Sequence, residues 1–225
     1  MNLLAHRGFW FNPEEKNTRE AYRRAFAAGY GIELDVRDRN GGLVIAHDLA
    51  DESSYPFADV LTDYAEAKSK AWLAINIKAD GLVDLLSREL KTAQLTQRAF
   101  VFDMSVPDLT AYMRSPLIVF NRRSELEPAS ILDIRTPGVW LDFFEGPWVD
   151  PQLVVEQIWR GRKVAVVSSE LHGLPYESGW AALKAALTAS GLPAGLIAEN
   201  LMLCTDHPDE ASSFFETHTC KEAAR

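Results

Sequence analysis

Cysteine is scarce. Only two of the 225 residues are Cys, Cys204 inside an apolar run and Cys220 close to the C-terminal end. This excludes a disulfide framework and a zinc site built on clustered cysteines. Basic residues are outnumbered, with 23 Lys and Arg against 32 Asp and Glu, a formal net charge of −9. That balance argues against a nucleic-acid partner or a binder of anionic membranes. Any phosphate handled by such a chain must meet a locally positive site, such as a metal ion. No apolar window approaches the roughly 20 residues of a membrane span. The start, Met1-Asn2-Leu3-Leu4-Ala5-His6, carries no basic or long apolar targeting segment. A cytoplasmic protein with no stable membrane insertion is the expectation. Glycine-rich phosphate loops are also missing. No Gly-x-Gly-x-x-Gly follows the first apolar run and no Gly-x-x-x-x-Gly-Lys-Ser/Thr occurs, so dinucleotide and P-loop readings lose their main support.

What is present is apolar material for a sizeable core, 47% of the residues. It is arranged in short continuous runs: Leu3 to Ala5, Gly31 to Val36, Trp72 to Ile77, Phe100 to Phe102, Leu117 to Phe120, Val139 to Leu141, Val164 to Val167 and Leu201 to Cys204. Runs that do not alternate with polar residues suit parallel strands buried on both faces. Helical patterns lie between them. Asn17-Thr18 caps a helix reaching about Ala28, with Gly29 as its stop. Others cover Leu82 to Leu90, Val106 to Arg114, Pro151 to Arg160, Trp180 to Ala189 and Pro208 to Phe215. The connection from Ser124 to Arg135 is irregular. Arg39-Asn40-Gly41-Gly42 signals a hairpin, with Leu43 to Ile45 returning as a short strand. Eight strands at about 28 residues per unit predict an α/β fold, a single (β/α)8 TIM-type barrel with a small hairpin after the second strand. An open doubly wound sheet is the alternative. No linker or repeat divides residues 1–225, so one domain is expected.

In such barrels, chemistry sits at the C-terminal ends of the strands. Polar groups occupy most of those positions: His6-Arg7, Glu33 and Asp35, Asn76 and Lys78, Asp103, Asn121-Arg122, Asp142, Ser168 to Glu170, and Thr205-Asp206. Glu33 and Asp35 lie two apart, so in a strand they share a face. Two carboxylates aimed into a barrel need a counter-charge. A hard cation such as Mg²⁺ or Ca²⁺ supplies it through oxygen ligands; neutralisation by Arg7, Lys78 or Arg122 is the alternative. His6 and His47 each follow a short strand, and two imidazoles can share proton removal and delivery near neutrality. The alternative is two structural histidines bonded to backbone carbonyls. Trp140, Phe143, Phe144 and Trp148 suit aromatic core packing better than a substrate mouth, His172 a structural role, and Cys204 a small buried hydrophobe. His207 and His218 suggest no function.

His6-Arg7-Gly8, Asn17-Thr18, Ile32-Glu33-Leu34-Asp35-Val36 and Val44-Ile45-Ala46-His47-Asp48 follow one another over the first fifty residues. In order and spacing they resemble the glycerophosphodiester phosphodiesterase family, whose pattern runs His-Arg-Gly, Glu-Asn-Thr, Glu-x-Asp-Val, a glycine-containing turn and His-Asp. Weaker matches follow. Asn76-Ile77-Lys78 stands where the family carries Glu-x-Lys, and Thr205-Asp206-His207-Pro208 is similar to its closing Thr-Asp-x-Pro. More distantly, the two-histidine arrangement is similar to that of phosphatidylinositol-specific phospholipases C. The resemblance implies a TIM-like barrel, a divalent metal, and hydrolysis of a small-molecule phosphodiester to glycerol phosphate and an alcohol. It implies Glu33 and Asp35 as metal ligands, His6 and His47 as the acid/base pair, and Arg7 as a phosphate ligand, with Lys78 beside it. A cyclic phosphate made by attack of the glycerol hydroxyl is a plausible first step in that family.

Two positions depart from the pattern. Lys16 replaces the acid of Glu-Asn-Thr, leaving Glu14 or Glu15 as a substitute if the loop is longer. Asn76 replaces the third carboxylate; its amide oxygen can ligate a metal but brings no charge. Asp103, ending the strand next in sequence, is the expected replacement ligand. Its competing role is to cap the following helix, for which Ser105 is better placed. Asp142 and Glu170 are weaker candidates of the same kind. Two other functions stay in contention: a non-catalytic phosphodiester-binding barrel, motivated by Lys16 and Asn76, and another metal-dependent barrel hydrolase or lyase.

Overall fold

All eight continuous apolar runs form parallel strands, and the hairpin adds a ninth. The structure is a computed structural model that describes residues 1–146 and 148–216; His218 and Cys220 lie outside the described residues. The strands are β1 (Asn2–His6), β2 (Gly31–Arg39), β3 (Gly42–Ile45), β4 (Leu73–Ile77), β5 (Ala99–Phe102), β6 (Ile118–Arg123), β7 (Gly138–Leu141), β8 (Lys163–Val167) and β9 (Leu201–Thr205). Around the sheet they run β1-β9-β8-β7-β6-β5-β4-β2, and β1 pairs with β2 to close the ring. The closure rules out an open doubly wound sheet. β3 stays outside the ring, antiparallel to β2. Its turn residues Asn40 and Gly41 have φ of 52° and 80°, the paired left-handed conformation that suits a two-residue hairpin.

The helices are α1 (Arg19–Ala27), α2 (Phe57–Glu66), α3 (Val83–Thr92), α4 (Val106–Tyr112), α5 (Pro151–Trp159), α6 (Glu177–Ala189), α7 (Ala194–Asn200) and α8 (Pro208–Glu216). Short 3-10 turns cover Pro13–Glu15 and Ser169–His172. Thr18 caps α1 by accepting the Ala21 amide at 3.3 Å. Ser105 caps α4 through the Asp108 amide at 3.3 Å, which frees Asp103 from that duty. Among the described residues no helix links β6 to β7. Nor is any helix there long and apolar enough to cross a membrane.

Two apolar layers result. Inside the ring, Leu4, Trp72, Ala74, Phe100, Phe102, Phe120, Trp140, Ala165, Val167, Met202 and Cys204 pack together. Phe100 stacks on Phe120 at 3.9 Å between centroids, and Phe102 on Trp140 at 3.8 Å. Trp140 and Cys204 are thus core residues, as their composition suggested. Gly138 makes room for this stack, because a Cβ there would lie 2.1 Å from the Phe120 ring. Outside the ring, helices and strands share two further clusters, one spanning β2 to β6 and the other β7 to β9.

One ionic cluster ties α1 to α2. The buried Asp63 carboxylate accepts from Arg19 at 2.8 Å through each oxygen, and from Arg23 at 2.7 and 2.9 Å. Burial works to raise the Asp63 carboxyl, but the two guanidiniums hold it below its ordinary value. A carboxylate whose folded-state pKa is depressed stabilises the fold fully above its unfolded value near 3.9, and this is lost as pH falls through the folded value. Asp63→Ala is expected to destabilise the protein by about 1–3 kcal/mol at pH 7. The difference from wild type should close as pH falls through that depressed folded value, as followed by urea denaturation at several pH values.

Candidate active site

The chain leaves β1 through two residues in the left-handed region, Arg7 at φ 55° and Gly8 at φ 94°. Gly8 has no alternative, since a Cβ there would lie 2.7 Å from the Ala21 Cβ. The turn folds Arg7 back over the end of β2. Its amide donates to Glu33 Oε2 at 3.3 Å, and its Nε lies 3.2 Å from Asp35 Oδ2. Glu33 and Asp35 do share a face, and both are buried, at 2% and 0% exposure.

Asp35 gathers its partners from the β1–α1 connection and from the end of β4. Asn17, itself at φ 60°, donates its Nδ2 to Asp35 Oδ2 at 2.8 Å, and its Oδ1 is fixed by the Tyr22 hydroxyl at 2.6 Å. Lys78 Nζ lies 3.3 Å from Asp35 Oδ1. Asn76 pairs in register with Asp35 across β2 and β4 and hydrogen-bonds Glu33. Burial, and then the Asp35 charge, push the Glu33 carboxyl well above the usual carboxylate range, against the pull of Arg7 and Lys78. Within this group, Asp35 Oδ1 and Asn76 Oδ1 are buried without a hydrogen-bond partner.

His6 stands on the other side of Glu33. Its Nδ1 is 2.7 Å from Asp206 Oδ1 and its Nε2 is 3.9 Å from Glu33 Oε2. An ionised Asp206 accepts the Nδ1 proton and leaves Nε2 free toward the site. Burial lowers the imidazole pKa below its usual 6.5, with Asp206 opposing and Arg7 and Lys16 adding to the fall. Burial works to raise Asp206, but His6 and Lys16 hold it below its ordinary value. Glu170 accepts the Asp206 amide at 3.1 Å and the Thr205 hydroxyl at 2.5 Å, which fixes the turn after β9.

His47 lies apart, 44% exposed, with Nδ1 3.1 Å from Asp48 Oδ1. It shares a cleft of about 660 Å³ with Arg7, Lys16, Asn17 and Tyr55. That cleft joins His47 to the network through Arg7. Asp103, at φ 72°, is held by Arg122 and stands 4.0 Å from Lys78, so it shares Lys78 with Asp35 rather than joining Glu33. Of the cations expected to neutralise the carboxylate pair, Arg7 and Lys78 reach Asp35; Arg122 is spent on Asp103 and on Glu127, at 2.6 and 3.0 Å. Neither Glu14 nor Glu15 replaces the missing loop acid. Glu14 is exposed, and Glu15 accepts from Arg24 and the Phe11 amide, each at 2.9 Å.

The sequence reading gave Asp206 and Lys16 no role. A signal existed for Asp206: it follows the last strand, and ring closure sets that end beside His6. On the far side of the mouth, His172 Nε2 is 2.7 Å from Asp142, and Phe144 lies edge-on to His172 at 4.9 Å.

No family model and no curated protein matches this sequence. Solved structures do match its fold. One is a glycerophosphodiester phosphodiesterase from Parabacteroides distasonis, 16% identical over 96% of this chain and 97% of that one, with a TM-score of 0.69. Another is an Oleispira antarctica phosphodiesterase in complex with the product sn-glycerol-3-phosphate, 16% identical over 95% and 96%, at 0.61. A Ca²⁺-dependent phosphatidylinositol-specific phospholipase C from Streptomyces antibioticus is 11% identical over 95% of both chains, at 0.52. This chain therefore has the barrel fold found in these phosphodiesterases.

Because Asp206 raises the His6 pKa, its replacement by Asn should move the imidazole titration to still lower pH than in wild type. Nitrogen-detected NMR of the ring reads this directly, and an upward shift would contradict the assigned pairing.

Proposed function

We propose that this protein is a metal-dependent phosphodiester hydrolase that cleaves a glycerophosphodiester to glycerol phosphate and an alcohol. The observation that carries the reading is the meeting of His6, oriented by Asp206, with a buried oxygen cluster and two cations over one end of the barrel. The shared fold and the product bound to the Oleispira antarctica enzyme support the substrate class.

The residues fit a divalent cation. Among the described residues no three His, Cys, Asp or Glu side chains are gathered as metal ligands. With the amide of Asn76 included, however, Glu33, Asp35 and Asn76 form an all-oxygen set, and two of its buried oxygens, Asp35 Oδ1 and Asn76 Oδ1, lack a hydrogen-bond partner. Such a set suits Mg²⁺ or Ca²⁺. Asp103 belongs instead to Arg122. When bound, the ion would polarise a phosphoryl oxygen and stabilise the charge that develops there.

The protein groups do the rest. Arg7 and Lys78 bind the non-bridging phosphate oxygens and hold phosphorus in line. His6 is neutral at pH 7 because burial lowers its pKa, so its Nε2 accepts the proton of the attacking hydroxyl, either water, which gives glycerol phosphate directly, or the substrate glycerol, which gives a cyclic phosphate that water then opens. The new P–O bond forms as the bond to the leaving alcohol breaks. His47, exposed at the cleft, returns a proton to that alkoxide.

His6→Ala and His47→Ala should each lower kcat about 10²–10⁴-fold. Chelation should abolish turnover of a glycerophosphodiester panel, with recovery on adding Mg²⁺ or Ca²⁺. Binding of sn-glycerol-3-phosphate without turnover under any divalent metal would instead identify a phosphodiester-binding barrel.

A further inference from the structure

Lys16 occupies an unusual position at this mouth. The 3-10 turn Pro13–Glu15 and the left-handed Asn17 set its direction, with the Lys16 amide closing on the Pro13 carbonyl at 3.2 Å. Glu15 points away to Arg24, so the loop presents a cation inward where the resembled pattern carries an acid. The ammonium is held, not free-swinging. It lies 4.4 Å above the Trp10 ring, and Trp10 is pinned by its Nε1–H donating to the His6 carbonyl at 3.0 Å. It also lies 3.4 Å from Asp206 Oδ2. An ammonium has three protons, and Asp206 takes one. The side chain is 27% exposed and forms part of the wall of the 660 Å³ cleft that also holds Arg7 and His47. Arg7 is committed to Asp35 and Lys78 to Asp35 and Asp103. Asp206 also accepts from the neutral His6, so Lys16 meets one carboxylate and keeps two ammonium protons beyond the one that Asp206 takes.

We propose that Lys16 is a specificity-determining residue that binds a second anionic group on the substrate, so that the preferred glycerophosphodiesters carry a carboxylate or a further phosphate on the alcohol arm. This rests on the phosphodiesterase reading. A fixed cation beside the scissile phosphate favours such an arm by a charge-assisted hydrogen bond in a partly desolvated cleft, and it offers an uncharged or cationic arm nothing comparable.

Glycerophosphoserine and glycerophosphoethanolamine differ by one carboxylate and form the discriminating pair, with a glycerophosphodiester bearing a terminal phosphate as the second arm. The expected kcat/KM ratio of anionic to non-anionic substrate is about tenfold or more, and it should shrink with added salt. Lys16→Gln should bring the ratio to about one, Lys16→Arg should keep it, and Lys16→Glu should reverse it. A wild-type ratio near one for both anionic arms, or a ratio unchanged in Lys16→Gln, overturns the proposal. If no diester is turned over, the phosphodiesterase reading fails separately. Calorimetric binding of the same compounds to wild type and Lys16→Gln then reads the same preference and decides for or against Lys16.

Discussion

The burial of Asp35 is the constraint to which the top of this barrel answers. A carboxylate with no exposure is tolerated only if charge and hydrogen bonds meet it from every side. Here they come from Arg7, Asn17 and Lys78, which lie after β1, before α1 and after β4. Meeting one carboxylate thus fixes two loops, the β1–α1 connection at both its ends and the one after β4. Two of those residues, Arg7 and Asn17, adopt left-handed backbone that side chains other than Gly rarely take. Strain of that kind persists where surrounding structure over-determines it, and the Asp35 network does so.

The same network shows how a chain of net charge −9 keeps cations at one end of its barrel. The acidic surplus is not spread over the mouth. Three of the carboxylates there have a cation within reach: Asp35 with Arg7 and Lys78, Asp103 with Arg122, Asp206 with Lys16. Under the proposed function, a phosphodiester would compete for cations already in place, and a divalent ion for the oxygens they leave.

Much of this was legible in the chain. The eight strands stood out because both faces of each are buried, which makes the apolar runs continuous. Glu33, Asp35, His6 and Arg7 stood out because they fall at strand ends. Two helices did not show. α2 begins after Pro56 with no side-chain cap, and α7 begins after Pro193 with Gly195 in its first turn. The His6–Asp206 pair joins residues 200 positions apart, beyond any local pattern. The choice between Lys16 and its acidic neighbours depended on where Arg24 draws Glu15, which only the folded loop decides. Asp103 looked like a spare ligand because no local pattern sets it beside Arg122, 19 residues on, whereas the fold joins the two.

The missing helix between β6 and β7 has a mechanical consequence. It divides the outer apolar shell into two slabs, one over β2 to β6 and the other over β7 to β9. One stack inside the ring bridges that division: Phe102 of β5 lies on Trp140 of β7. A load applied to one slab reaches the other through these rings and the strand hydrogen bonds. The Phe102–Trp140 stack is the tie-rod of the barrel at this seam.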